Sequence, residues 1–334
     1  MQATLARTGL RYAAGEGLAD CIAAHGDRIL GCVSFGAGTA PDAAGLPHVH
    51  AGMPVVGAPA LHELWLSPDP AQALRNGRIA ARCNGQVLFG CLAIPPGAGA
   101  DYDAVIYEEY GRVFDFIDAA GYPNLLRAWH YLPDIHGEER ALERYKRFSL
   151  GRHEAFVSRG RAISRDAPAA SAVGTSGAST VIAFLAALRP GTPIENPRQV
   201  SAYSYPAQYG PRGPTFSRAL FAAWNGLPQL YVSGTASIFG HLSRHEGDAA
   251  AQADETILNL RTVLGEARGL IDAGESAQMF FKVYLRDPAY RDLVEQKLRA
   301  AFGPAHPIAC LRADICRREL LLEIELVVTD ARAR

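Results

Sequence analysis

Residues Cys310 to Val328 read CLRADICRRELLLEIELVV, and the alternation within them decides the fold class. Strand side chains point alternately to opposite faces, so Leu320, Leu322, Ile324, Leu326 and Val328 form an unbroken apolar stripe suited to a core. The opposite face carries Glu319, Leu321, Glu323, Glu325 and Val327. Carboxylates are poor strand formers, and three of them in five positions admit two readings. Either the face is solvated, as one face of a paired sheet often is, or one carboxylate is a buried acid.

Composition bounds what such an acid could serve. The chain has 334 residues, 49% hydrophobic and 20% charged, which is enough for two domains with a sizeable core. Lysine plus arginine number 33 against 34 acids, so a formal charge of -1 gives no overall pull towards nucleic acid or anionic lipid. A small-molecule role is the expectation. No apolar run reaches the ~20 residues of a membrane span, and the opening MQATLARTGLRYAAGEGLAD lacks the basic-then-apolar order of a signal peptide, so a cytoplasmic protein is expected. Cys21, Cys32, Cys83, Cys91, Cys310 and Cys316 contain no C-x-x-C pair and are expected as free thiols. His48 and His50 have no carboxylate or third His spaced to complete a ligand set, and His241 and His245, four apart, fall in a Gly-containing turn rather than on a helix, so no metal site is expected.

Working outward, the closing strands belong to the second of two similar halves. Residues 1 to about 84 read as short strands and turns, with candidates Arg28 to Phe35, Gly52 to Val56 and Leu61 to Leu66 around a surface loop, GAGTAPDAAGLPHVHAG. From Gln86 a strand is followed by a helix with Ile106, Tyr110, Val113, Phe114 and Ile117 at helical spacing. The strand LLRAWHYLPD and a helix through Leu142, Tyr145 and Phe148 come next. From Gln229 the order recurs: a strand, a helix bearing Ile257, Leu260 and Leu264, the strand QMFFKVYLRD, the helix Tyr290 to Phe302, and a closing hairpin of Ile308 to Ile315 with Leu320 to Val328. The shared order β, α, β, α, β, β predicts an α+β protein of two tandem domains, each a mixed sheet with helices on one face. The proline-rich joint at residues 187 to 199 divides it into residues 1–190, a strand-rich lead-in plus a degenerate repeat, and residues 191–334. In the first half the strand matching Leu320 to Val328 is Ser179 to Leu188, STVIAFLAAL, which holds no acid. The fold therefore does not demand Glu323 and Glu325, and their presence points to a site kept in the second copy alone.

A second unusual segment is Ser201 to Arg218, SAYSYPAQYGPRGPTFSR, with three tyrosines, two arginines, three prolines and two glycines. It suits a rigid loop presenting polar tips, or a tyrosine-rich interdomain contact. Arginine is the side chain shaped to grip a carboxylate through two parallel hydrogen bonds. Arg152, in FSLGRHEAF, reads on its own as an exposed arginine at a helix end, and Trp129 and Tyr131 read as core.

The segments SGTASIFGH, DAAAQADETILNL, FFKVYLRD and LLLEIELVV resemble the reactive-intermediate deaminase fold, which is also the chorismate-mutase-like α+β fold. A closer resemblance, over most of the chain, is to the chorismatase family. It rests on RAWHYLPDI, YKRFSLGR, IENPRQVSAYSYPAQYGPR, SGTASIFGHLSRHEGD and ELLLEIE in that order; the first 80 residues contribute least. The resemblance implies protonation of the enolpyruvyl methylene of chorismate and release of pyruvate, without metal or organic cofactor.

Glu323, the first Glu of LEIE, matches the family's acid, and its apolar neighbours Leu322 and Ile324 favour the neutral carboxyl. Glu325 either raises that pKa by like-charge repulsion or is solvated. Arg212, with the family-matched Tyr205 and Tyr209, is expected to hold substrate carboxylates, with Arg152 and Lys282 as further candidates. Family members that form a dihydroxycyclohexadiene have Ala at the positions of Gly234 and Cys316, and those that form 3-hydroxybenzoate have Gly and Cys. The chain thus resembles a 3-hydroxybenzoate synthase, with 4-hydroxybenzoate as a further product of one subgroup. Gly234 is expected to make room for the ring, and Cys316 to act as a weak acid or nucleophile or simply to be a small buried residue.

Three alternatives stand beside this: a chorismate hydrolase giving the diol, an imine or enamine deaminase, and a non-catalytic ligand-binding protein. Deaminases of this fold resemble one another in an arginine just ahead of the first of the closing strands, and the matching place, near Ile308 in HPIACLR, is not occupied by one. A tandem chain fills by itself the subunit contacts that single-domain relatives make as trimers, so a monomer is expected.

Overall fold

The structure is a computed structural model that describes residues 9–15, 17–37, 45–97, 101–271 and 277–330. Its elements fall into three groups along the chain. The first holds β1 (Gly9–Ala14), α1 (Gly17–His25), β2 (Ile29–Gly36), β3 (His48–His50) and β4 (Ala60–Leu66). The second holds β5 (Gln72–Asn76), β6 (Ile79–Cys83), β7 (Val87–Ile94), α2 (Tyr102–Ala119), β8 (Asn124–Pro133), the short pair β9 (Glu138–Glu139) and β10 (Leu142–Glu143), α3 (Arg144–Ser158), β11 (Ala169–Thr175) and β12 (Thr180–Ala187). The third holds β13 (Thr192–Ile194), β14 (Ala219–Trp224), β15 (Leu227–Thr235), the short pair β16 (Ile238–Phe239) and β17 (Leu242–Ser243), α4 (Ala249–Glu266), β18 (Ala277–Leu285), α5 (Arg291–Phe302), β19 (Ile308–Arg312) and β20 (Leu322–Asp330). No helix among the described residues is long and apolar enough to cross a membrane.

The expected α+β class and tandem sheets are present. The second and third groups form six-stranded sheets of identical order, β11-β8-β12-β7-β6-β5 and β19-β18-β20-β15-β14-β13. In each, one parallel pair, β8 with β11 or β18 with β19, adjoins antiparallel neighbours. The first group, read from sequence only as short strands, repeats the first four strands of that order. Its order β3-β2-β4-β1 has the same parallel pair, β2 with β3, and the same antiparallel contacts of β4. The signal was weak because, among the described residues, this copy shows neither a second helix nor a leading hairpin. Its helix α1 has only nine residues, too short for a clear apolar period.

Local expectations fail at three places. Ile308 to Ile315 and Leu320 to Val328 do not form a hairpin. The central strand β20 has both edges occupied, by β15 and β18, so β19 pairs in parallel with β18 instead. Gly52 to Val56 is not a strand and makes only a single bridge, Val55 to Leu311. His48 and His50 lie on β3 rather than in a loop, and residues 38–44 of that loop lie outside the described residues.

Each sheet carries helices on one face and turns the other to a common centre. Leu322, Ile324, Leu326 and Val328 pack with residues of α4 and α5, whereas Val327 on the opposite face joins a core shared by all three sheets. Ile324, Leu326 and Val328 are fully buried, each contributing about 1.5–3 kcal/mol of apolar transfer. The sheets approach closely where they meet: a Cβ on Gly31 of β2 would lie 2.0 Å from Cδ1 of Phe89 on β7. Gly31→Ala should therefore destabilise the protein by about 1–3 kcal/mol, as overpacking does, read from urea unfolding midpoints.

Candidate active site

Where β11 and α3 of the second sheet face β15 and β20 of the third, the fold leaves a cavity of about 270 Å³. That size suits a small single-ring ligand rather than a dinucleotide. Its wall includes Glu323, Gly234, Cys316, Tyr205, Tyr209 and Arg152, so six of the eight candidate residues converge here from separate parts of the chain. Lys146, Arg152, Arg218, Arg317 and Arg318 line it against the acids Glu143, Glu319 and Glu323, giving an excess of positive charge.

The glutamate face of β20 is not solvated: Glu323 is 4% exposed and Glu325 3%. Their fates differ because their partners differ. Glu325 accepts hydrogen bonds from Arg127 Nη2 (2.7 Å), the Ser171 hydroxyl (2.6 Å), Tyr284 OH (3.1 Å) and Trp129 Nε1 (2.9 Å). Lys282 Nζ stands 2.7 Å from its Oε1 and 2.5 Å from Oε2 of Glu63 on β4. Burial opposes ionisation of Glu325, but Lys282 and Arg127, with these hydrogen bonds, hold its carboxyl well below the usual range. Glu323 has no such cation of its own. Burial, then the Glu325 charge, against a weaker pull from Arg127, push it up to about 8. It is thus a protonated acid at neutral pH, facing a cavity.

Gly234 is the wall behind that acid. A Cβ at this position would lie 1.9 Å from Glu323 Oε1 and 2.6 Å from its Cδ, so the missing methyl makes room for the carboxyl of Glu323 rather than for a ligand ring. The Gly234 N–H donates to Ser171 Oγ at 3.1 Å, which ties this wall to the Glu325 cluster. Cys316 lies in the segment before β20, and burial, then Glu323, push its thiol up to about 12, so it stays protonated.

The cationic lining is held in place by aromatic rings and main-chain oxygens. Arg152, on α3, is 3% exposed, stacks over Tyr110 (5.0 Å) and Phe156 (5.2 Å) and donates through Nη1 to Thr215 O. Its Nε and Nη2 are buried with no partner among the described residues, as are Ser149 Oγ and Thr215 Oγ1 on the same wall. Buried donors without partners are costly unless water or a ligand in the cavity meets them. Arg218 donates to Tyr205 OH (2.9 Å), and Arg317 lies over the rings of Tyr205 (5.3 Å) and Tyr209 (4.0 Å). His130 donates from Nδ1 to Ser171 O at 2.6 Å and accepts from Tyr110 OH at Nε2. Burial, then Arg152, hold it well below its ordinary pKa, so it is neutral.

Two sequence candidates fall elsewhere. The Arg212 side chain is 52% exposed, pairs with Glu154 at 3.2 Å and does not line the cavity, because its loop turns it outward onto α3. Lys282 is 1% exposed and locked between two carboxylates, with no reach to the cavity. Sequence reading missed Arg127, Ser171, Glu63, Ser149 and Arg218. The available signal was Arg127, a charge inside the apolar strand LLRAWHYLPD, which called for a buried counter-charge. Among the described residues no group of three or more His, Cys, Asp or Glu is placed to hold a metal ion.

Known proteins carry the same pattern over most of the chain. The family model described as chorismatase FkbO/Hyg5-like, N-terminal, matches residues 63–186. A 3-hydroxybenzoate synthase of Streptomyces hygroscopicus is 34% identical over 296 residues, 85% of this chain and 86% of that protein. A chorismatase of Streptomyces rapamycinicus is 35% identical over 276 residues, 80% of this chain and 81% of that one. A chorismatase crystal structure superposes with a TM-score of 0.85 at 29% identity, covering 97% of this chain and 100% of that one. With its buried acid and cationic cavity in a fold shared end to end with these enzymes, the chain belongs to the chorismatase family.

Proposed function

We propose that the protein converts chorismate to 3-hydroxybenzoate and pyruvate, with 4-hydroxybenzoate as a further product if it follows that subgroup of the family, in a cofactor-independent reaction begun by proton transfer from Glu323. The observation that carries this reading is a buried carboxyl raised to about 8 in a cavity with surplus cations. Carbon protonation needs an acid that is still protonated at working pH and is aimed at the reacting carbon. Glu323 gives its proton to the terminal methylene of the enol ether, water adds to the cationic ether carbon, and its released proton restores Glu323. The bond from that carbon to the ring oxygen breaks to free pyruvate, and the ring hydroxyl leaves as water with a ring proton to form the aromatic ring. The sum is balanced without net water, since chorismate is isomeric with hydroxybenzoate plus pyruvate.

Arg152, with the Ser149 and Thr215 hydroxyls, is assigned to one substrate carboxylate, and Arg218 and Arg317, carrying Tyr205 and Tyr209, to the polar groups at the other end. Gly234 and Cys316 are assigned to product choice: Gly234 by letting the Glu323 carboxyl take its place, Cys316 as a protonated thiol able to assist departure of the ring hydroxyl. We take residues 1–190 and 191–334 as the two domains. We also take the protein as a cytoplasmic monomer, because three sheets of one chain already cover one another's inner faces. The diol-forming hydrolase is the second reading, since it requires the same acid and the same cations.

Glu323→Gln should lower pyruvate release from chorismate about a hundredfold or more with fold and substrate binding kept, as loss of a general acid does. In the unmodified enzyme kcat/KM should be level below pH 8 and fall above it, because a general acid works only while protonated and this one loses its proton at about 8. Near wild-type turnover by Glu323→Gln would refute the assignment. Arg152→Ala should raise KM for chorismate, costing about 2–5 kcal/mol for a desolvated charge pair. Arg212→Ala, at an exposed position, should stay within about 0.5 kcal/mol of wild type in kcat/KM. Finally, Gly234→Ala combined with Cys316→Ala should slow pyruvate release, because the methyl crowds the Glu323 carboxyl, and should turn the remaining product from aromatic acid towards the non-aromatic diol, seen by chromatography. An unchanged aromatic profile would remove both residues from product control.

A further inference from the structure

Glu63 lies on β4 of the first sheet, which contributes no residue to the cavity wall among the described residues. Its carboxylate is 1% exposed, with Oε2 at 2.5 Å from Lys282 Nζ and Oε1 accepting from Trp65 Nε1 at 3.1 Å. Burial pushes this carboxyl up, yet both contacts are donors and neither offers an acceptor for a carboxylic proton, so Glu63 is ionised. Glu63 and Glu325 then balance Lys282 and Arg127, two anions against two cations, and the sum is zero only while Glu323 carries its proton.

We propose that Glu63 is a positioning residue for the reaction: through Lys282 and Glu325 its buried charge keeps Glu323 protonated, so the first sheet governs the charge state of an acid it does not touch. The proposal rests on the reading of Glu323 as the general acid. Glutamine at position 63 would leave one uncompensated positive charge where solvent does not reach, and a neighbouring group must give up a proton to remove it. The neutral groups facing the cluster are Tyr12 on β1, Tyr131 on β8 and Tyr284 on β18, and around Glu323 they are Tyr145, Cys316 and His130. The charged groups on the acid's side, besides Glu325 and Arg127, are Lys146, Arg152, Arg218, Arg317 and Arg318 with Glu143 and Glu319. Tyrosine and cysteine ordinarily ionise at about 10 and 8.5, so the carboxyl of Glu323 yields first.

The test is the pH dependence of kcat/KM for pyruvate release from chorismate by the full chain. Glu63→Gln should move the upper limb down by about one pH unit or more, so that activity at pH 8 falls about fivefold or more while that at pH 6 stays within about twofold of wild type. Glu63→Gln with Lys282→Met deletes a neutral pair and should bring the limb back to within about half a unit of wild type, since an ion pair replaced by apolar groups is often tolerated. A merely structural role for Glu63 would make the double variant worse than the single one. An unmoved limb in Glu63→Gln, or a double variant displaced further, overturns the proposal while leaving Glu323 as the acid. Retained turnover in Glu323→Gln overturns both. If Glu63→Gln alone does not fold, the double variant decides: a limb matching wild type supports the proposal, and one displaced downward overturns it.

Discussion

The carboxylate of Glu325 sits where three sheets meet, and its ion pairs and hydrogen bonds come from β8, β11 and β18, with Glu63 of β4 one step beyond Lys282. A buried charge is tolerated only when it is fully paired, because removing one partner leaves an uncompensated ion in a medium that solvates it poorly. Here every strand that supplies a partner must be in register for the others to be satisfied. The cluster therefore fixes how the sheets are set against one another, and the cavity between β11 and β20 inherits its shape from that arrangement.

The same cluster explains why two glutamates two residues apart on one strand differ in protonation. Glu325 has taken the available cations, and Glu323 is left with burial and a neighbouring anion, both of which favour its proton. Ser171 links the two halves of this arrangement, giving its proton to Glu325 while accepting the Gly234 N–H that backs the acid. Acid strength and acid placement thus depend on one set of bonds.

The internal repeat shows what the fold requires and what the site adds. On β12 the positions of Glu323 and Glu325 are held by Val181 and Ala183, which face Tyr131 and Trp129 as the glutamates face Tyr284 and Lys282. The apolar copy packs without chemistry. In the third sheet the same positions border a cleft lined by α3 of its neighbour, and that neighbour supplies Ser149 and Arg152.

The period of two along LLLEIELVV, the absence of acids from STVIAFLAAL and the recurring element order are local properties, set by backbone geometry, and the sequence by itself determined the tandem α+β architecture from them. It also singled out Glu323, because a carboxylate in an apolar strand is anomalous before any partner is known. Which cation meets which anion is not local. Arg127 and Glu325 are 198 residues apart in the chain, and Arg212 and Arg152 differ in fate only because a loop turns one outward while a helix buries the other. Likewise only the tertiary structure decided that Gly234 accommodates the acid and that Lys282 balances charge rather than meeting a ligand, since both facts depend on side chains converging from separate sheets.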